Sequence, residues 1–460
     1  MWSKLMDLFH KRYSSSKYIC FLASVVFAII FLFVPVLADD SRQIEGNVFS
    51  FFIFFFNMYK YYSSRVLVNT VWYVFLKHSV VWYAIITGVS LYVLCYALCE
   101  LIGIKESGKS GIAMTLFSVA MVLIIPWEVY SDTGWRASTM TYFTPFAFGF
   151  FSMIPIKRVI KDESVSKIEK VLWTIALIYA ANEELFMVIL LGSYLVAALY
   201  LSLCKKMNWY MWVQVVIVLL SAAYTLLCPG NHSRGNGSVW KFFKGYEILN
   251  PIDKIDIGYT TSMQWLFFGN QLFIIVGLGV LAMILYKKYE CVWVRVIAFI
   301  PLLLSGIFGF SGENVQGVFP FFYIIKRGIP KSGLINAENR GGIEQFIKFF
   351  CFALIIVCIL IEIVLASESL AILLASVVTV GAGFCARVIV GFSPDIYGSK
   401  YRTCLGFVFA FIFMICLQYA SCVKARVFSE KDVKRIEVGS IIIIVYSLIN
   451  LAYIMVGTKV

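Results

Sequence analysis

The sequence predicts an all-α fold: a polytopic transmembrane helical bundle of about 11–13 spans, with interfacial helices after the first span and long extracytoplasmic loops. Three observations predict it. Hydrophobic residues make up 61% of the 460 and charged residues only 14%, against about 45–50% apolar and a quarter charged in a soluble domain. Mean hydropathy is +0.86. Apolar runs also recur along almost the whole length, which predicts a single integral membrane domain over residues 1–460 with no room for a separate soluble catalytic domain. The same composition excludes a disordered chain and a small disulfide scaffold.

A helix needs about 20 mostly apolar residues to cross the hydrocarbon core. That length selects 18–38, 79–103, 112–127, 138–156, 171–182, 185–203, 209–227, 264–286, 291–310, 346–366, 369–391, 404–423 and 437–456. The fifth is short and either borrows flanking residues or is a half-helix. The first is followed by Asp39-Asp40 rather than a small-residue cleavage site, so it is expected to be a retained span. The pieces 48–58 and 65–77 are aromatic-rich but interrupted by Asn57, Lys60, Arg65 and Lys77, which reads as amphipathic helices lying at the interface.

The net charge of +13 does not indicate nucleic acid, because the basic residues are dispersed between apolar runs, as topology signals are. With the N-terminus in the cytoplasm, the inner connections hold 20 Lys and Arg in 63 residues and the outer ones 16 in 139. That difference has the expected direction and puts the C-terminus outside, in what the resemblance below makes a bacterial inner membrane. Eleven of the 12 cysteines lie in or beside apolar runs, where Cys acts as a small hydrophobe. His10, His78 and His232 are too scattered for a metal cluster. Inner connections are short charge clusters such as Lys157-Arg158. Outer ones are long (39–78, 228–263 and 311–345) and rich in Gly, Asn, aromatics and paired charges, so the outer face is the expected working face.

Asp39 and Asp40 stand at the exit of the first span, with Arg42 two residues on. Carboxylates so close push one pKa upward, which suits a general base. Tyr61-Tyr62-Ser63-Ser64-Arg65 adds a second arginine after the interfacial stretch. Asp132, Trp135 and Arg136 share a ten-residue loop, where Trp135 could stack on a sugar ring. Glu183 and Glu184, after Asn182, sit where the short span turns back, nearly flush with the apolar region; ionisable groups at that depth usually face a cavity or a partner. They read as an acceptor site, a second acid, or a divalent-cation site shared with Asp39 or Asp40. Cys228 to Gly237 reads as a Gly/Asn turn whose backbone N–H groups could cradle a phosphate beside Asn231, His232 and Arg234. Ser311 to Asn314 and Asn336 to Gly342 bracket an aromatic segment suited to guiding a lipid tail. Arg387, inside an apolar run, and Arg402, in the polar turn after it, complete the set of phosphate-binding candidates.

An Asp-Asp pair after the first span, followed by interfacial helices ending in an aromatic-Ser-Ser-Arg turn, resembles the polytopic glycosyltransferases of the bacterial envelope that share the GT-C architecture. The closest in feel are O-antigen glucosyltransferases and a related family of bacterial multi-span proteins, which the stretches Pro229 to Arg234 and Arg387 to Tyr397 also resemble. The resemblance implies a sugar donor on a polyprenyl phosphate, a glycan or glycolipid acceptor in contact with membrane lipid, and a first-loop carboxylate, Asp39 or Asp40, as catalytic base. It does not say which of the two. A divalent cation is left open, with no confident metal ligands. A rival is an O-antigen-type polymerase or ligase, for which Arg234 and Gly245 match a reported Arg-x(10)-Gly spacing without a second copy. A flippase or transporter predicts internal repeats and broken helices, and no repeat is visible in the sequence.

Overall fold

The computed structural model describes residues 15–41, 48–76, 79–104, 109–311, 325, 329–334 and 343–457. Among these there is no strand. The helices are α1 (Ser15–Phe31), α2 (Val48–Asn57), α3 (Val66–Thr70), α4 (Val80–Ile102), α5 (Lys109–Leu123), α6 (Trp135–Ile160), α7 (Lys167–Ala180), α8 (Glu184–Leu203) and α9 (Trp209–Leu226). They continue with α10 (Pro229–Phe242), α11 (Pro251–Phe268), α12 (Leu272–Lys288), α13 (Val292–Phe310), α14 (Ile343–Ala366), α15 (Leu370–Ile389), α16 (Leu405–Lys424) and α17 (Glu430–Gly457).

Local chemistry sets many of the boundaries. Ser79 accepts from the Trp82 N–H to start α4, and Gly103, at φ 71°, ends it in the left-handed region. Ser166 with Glu169, and Asn250 with Asp253, form capping boxes at the starts of α7 and α11.

The chain divides into two compact units, Met1–Ser233 with Ser429–Val460, and Arg234–Phe428. In the first, α4 packs on α1 and α6, α7 lies on α6, α8 on α9, and α17 returns to cover α5. In the second, α16 is the core: every residue from Leu405 to Val423 is buried, as expected of a helix that is apolar all round. It packs against α15 and α12.

Nine described helices are long and apolar enough to cross a membrane, and α11 with α12 would make a tenth. Their outward faces carry large apolar side chains. On α17, Ile442, Tyr446, Ile449 and Tyr453 form an exposed stripe at helical spacing, a surface suited to lipid and not to water. The chain is a multi-pass membrane protein.

Two expectations are corrected. The run 264–286 is not one straight span: α11 and α12 meet at a bend of 78°. Asn270 there takes φ +61°, a conformation Asn tolerates, and the Gln271 side chain donates to the Gly269 carbonyl at 2.8 Å. Nor is 228–237 an open turn. It lies in α10, whose Gly and Asn residues are weak helix formers, with Pro229 in the first turn and tertiary contacts described below holding Gly230 and Asn231. The run 171–182 is the 14-residue α7, short as expected. Gly312 to Ile324 and Ile335 to Gly342 lie outside the described residues, so the lipid-guiding segment is not described.

Candidate functional site

Beyond α1 the chain runs extended and then makes one tight turn, Ala38–Ser41. Asp40 points inward from it and is buried. Its Oδ1 accepts the Ala137 N–H at 2.8 Å and its Oδ2 the Leu37 N–H at 3.2 Å, with the Arg136 N–H as a further donor. The Ala137 and Arg136 N–H groups are unsatisfied donors of the start of α6, which a carboxylate is suited to cap. Gly134 makes the approach feasible: its φ is +118°, and a Cβ there would lie 2.5 Å from Asp40 Oδ1. Burial raises the Asp40 carboxyl above the ordinary carboxylate range, outweighing the backbone donors and the Arg136 charge that pull it down. The neighbouring Asp39 gives its N–H to the Thr133 carbonyl at 2.9 Å, and its side chain is half-buried. Arg136 lies over the Tyr83 ring, 5.7 Å from the centroid.

A second cluster assembles from three distant segments. Glu184 Oε2 accepts from Arg65 Nη2 at 2.8 Å, and Oε1 from the Ser63 and Ser64 hydroxyls at 3.1 and 2.9 Å. Glu183 caps α8 through the Phe186 N–H at 2.7 Å, and its Oε1 stands 3.8 Å from Arg65 Nε. Arg65 Nη1 donates to the Tyr142 hydroxyl at 3.2 Å. Asn182 Oδ1 accepts the Leu67 and Val68 N–H groups, the first donors of α3, at 2.8 and 3.2 Å. Asn231 accepts the Ser64 N–H at 3.3 Å and donates to the Ser64 hydroxyl at 3.2 Å. Gly230 lies flat against the same turn, since a Cβ would fall 2.5 Å from the Tyr62 nitrogen. Two carboxylates thus face one guanidinium in a buried setting. Burial raises Glu183 to about 7, against the opposing pull of Arg65.

Both clusters hang from α6. Arg136 and Tyr142 are six positions apart, about 9 Å along the helix axis. The structure therefore brings Asp39, Asp40, Arg136, Arg65, Glu183, Glu184 and Asn231 into one unit, arranged as two adjoining groups.

Several candidates take other roles. Trp135 is completely buried with its ring edge-on to Phe31, centroids 6.4 Å apart, so it offers no face to a sugar. Arg65 is engaged by Glu183 and Glu184, and Asn231 by Ser64. Asp132 and His232 are exposed. Arg234 belongs to the other unit and pairs with Asp395 at 3.3 Å. Arg402 caps its own turn through the Ser399 carbonyl at 3.3 Å. Arg42 lies outside the described residues. Asp40, Glu183 and Glu184 are occupied by N–H, hydroxyl and guanidinium donors, and among the described residues no group of three or more His, Cys, Asp or Glu is placed to hold a metal. Sequence reasoning missed Gly134, Tyr83 and Tyr142; only Gly134, immediately before a helix start, carried a local signal.

No protein-family model, curated protein or solved structure matches the chain.

Proposed function

We propose that the chain is a membrane glycosyltransferase of a bacterial inner membrane, moving a sugar from a polyprenyl-phosphate donor to an extracytoplasmic glycan or glycolipid. The observation that carries this reading is the division of labour within the Asp39-Asp40 turn. Asp40 is committed to the backbone of α6, and Asp39 stands half-buried on the same fixed turn; we assign Asp39 as the base. It would take the proton of an acceptor hydroxyl as that oxygen bonds to the anomeric carbon and the carbon–oxygen bond to phosphate breaks. Arg136, at the helix start against that turn, supplies a cation for the departing phosphate. In this reading Arg65 with Glu183 and Glu184 pins the interfacial segment in place and does not touch substrate.

The test is sugar incorporation into envelope glycan in cells carrying the chain, normalised to membrane-embedded protein. Asp39→Asn should lower it by about 10²–10⁴-fold, the usual contribution of a general base, while leaving folding intact. Full incorporation with Asp39→Asn would remove the base and the reading with it.

A second reading, movement of a lipid-linked sugar across the membrane, is favoured by the bend between α11 and α12. It predicts the opposite pattern: Asp39→Asn leaves the product intact, and Asn270→Leu at the bend abolishes it.

A further inference from the structure

The second unit holds a buried cation whose hydrogen bonds all go to neutral groups. Arg387 lies near the C-terminal end of α15 and is 2% exposed. Helices α11 and α15 approach backbone to backbone here, since a Cβ on Gly258 would lie 2.9 Å from the Val388 carbonyl carbon. That contact brings Thr261, on the next part of α11, against the arginine. Arg387 Nη2 donates to Thr261 Oγ1 at 3.2 Å and Nε to Cys404 Sγ at 3.1 Å. Thr261 spends its own proton on the Ile257 carbonyl at 2.6 Å, so it meets the guanidinium with lone pairs only. Both partners are neutral. Nη1 is buried with no hydrogen-bond partner, and no described Asp or Glu forms an ion pair with this arginine. Asp395 is taken by Arg234, and the buried Asp256 shares the surroundings of the Tyr397 hydroxyl with Arg387. A charge removed from water is normally paired or bound to a ligand.

We propose that Arg387 is the base of an anion site that takes one phosphate oxyanion. Nη1, with the second hydrogen of Nη2, presents the planar fork that matches two oxygens of such a group. Its depth agrees. The apolar stretch Leu370–Phe392 ends five residues beyond Arg387, the level at which lipid headgroup phosphates meet basic pockets between helices. The site belongs to the second unit and stands whether or not the chain transfers a sugar.

The test uses the full chain purified in a maltoside detergent without phosphate, read by its thermal unfolding midpoint. Inorganic phosphate is titrated in one arm, and phosphatidylglycerol micelles are added in another. A saturable rise in either arm supports the site, and the responding arm identifies a soluble or a lipid source. Arg387→Gln should lose the rise. Arg387→Lys, which keeps the charge without the fork, should need about tenfold more ligand. Asp256→Asn, which removes the buried carboxylate beside Tyr397, should respond like the wild type. The proposal is overturned if neither probe shifts the wild type, if Arg387→Gln keeps the full rise, or if the rise appears only in Asp256→Asn, since the chain's own acid would then be the partner.

Discussion

Removing the charge from each of the two adjacent glutamates at the start of α8 should have unequal consequences. Glu184 binds Arg65 Nη2 at 2.8 Å and both serine hydroxyls, with its side chain 17% exposed. Glu184→Gln strips the guanidinium of its close anion. Breaking a buried pair costs about 3–5 kcal/mol. Glu183, 3.8 Å from Arg65 Nε, can ionise and take over part of the role, which sets the expected loss at the low end, about 3 kcal/mol. Glu183 itself behaves differently. Because burial raises it to about 7, it holds its proton at pH 6, and glutamine reproduces that neutral form while still accepting the Phe186 N–H. Glu183→Gln should then stay within about 1 kcal/mol of the wild type. The sign of the pH dependence follows. The folded chain keeps a proton that the unfolded carboxyl has lost, from the ordinary value of 4.5 up to about 7. Wild-type stability therefore falls as pH rises through that interval, and Glu183→Gln removes the fall. Denaturation midpoints in mild detergent between pH 5 and pH 8 measure both effects. Equal damage from the two substitutions at pH 6, or a flat wild-type profile, would refute the one-cation, two-acid assignment.

Three glycine substitutions probe the same architecture. Gly134→Ala should cost about 3–6 kcal/mol, from backbone strain at φ +118° and displacement of Asp40 from the Ala137 N–H; loss of folded protein on size-exclusion chromatography reports it, and a near-normal midpoint would contradict it. Gly230→Ala drives a methyl into the backbone of Tyr62 and Ser63 and should cost about 2–3 kcal/mol. Gly235→Ala, five residues on in the same helix, meets nothing within 4 Å and should be neutral or stabilising by up to about 1 kcal/mol; similar losses at both positions would show that α10 is not docked as described.

Nine of the thirteen expected spans were legible as long apolar runs and overlie helices long enough to cross a membrane; 264–286 falls on a bent pair, and 18–38, 112–127 and 171–182 give helices of only 17, 15 and 14 residues. The bend at 269–271 was not legible, because hydropathy is blind to one left-handed residue inside an apolar stretch. Helix α10 was hidden for the converse reason: its Gly and Asn content argues for a turn, and only contacts with Ser64 and the Tyr62 backbone hold it helical. Both halves of the Arg65 cluster stood out as polar motifs, but 119 residues separate Arg65 from Glu184, and pairing over that distance leaves no mark in a single sequence. The difference between Asp39 and Asp40 is likewise an outcome of one turn's orientation, and Trp135 looked available only because its loop is polar.

The transfer reading stands or falls with the outward exposure of the Asp39-Asp40 turn. Among the cysteines, Cys204, Cys291 and Cys385 are exposed and can be replaced by serine. Ser41→Cys in that background, in intact cells, should then react with a membrane-impermeant maleimide added from outside. Labelling of Ser41→Cys only after the membrane is permeabilised would place the turn in the cytosol, where soluble nucleotide sugars could serve it directly, and would contradict a lipid-linked donor.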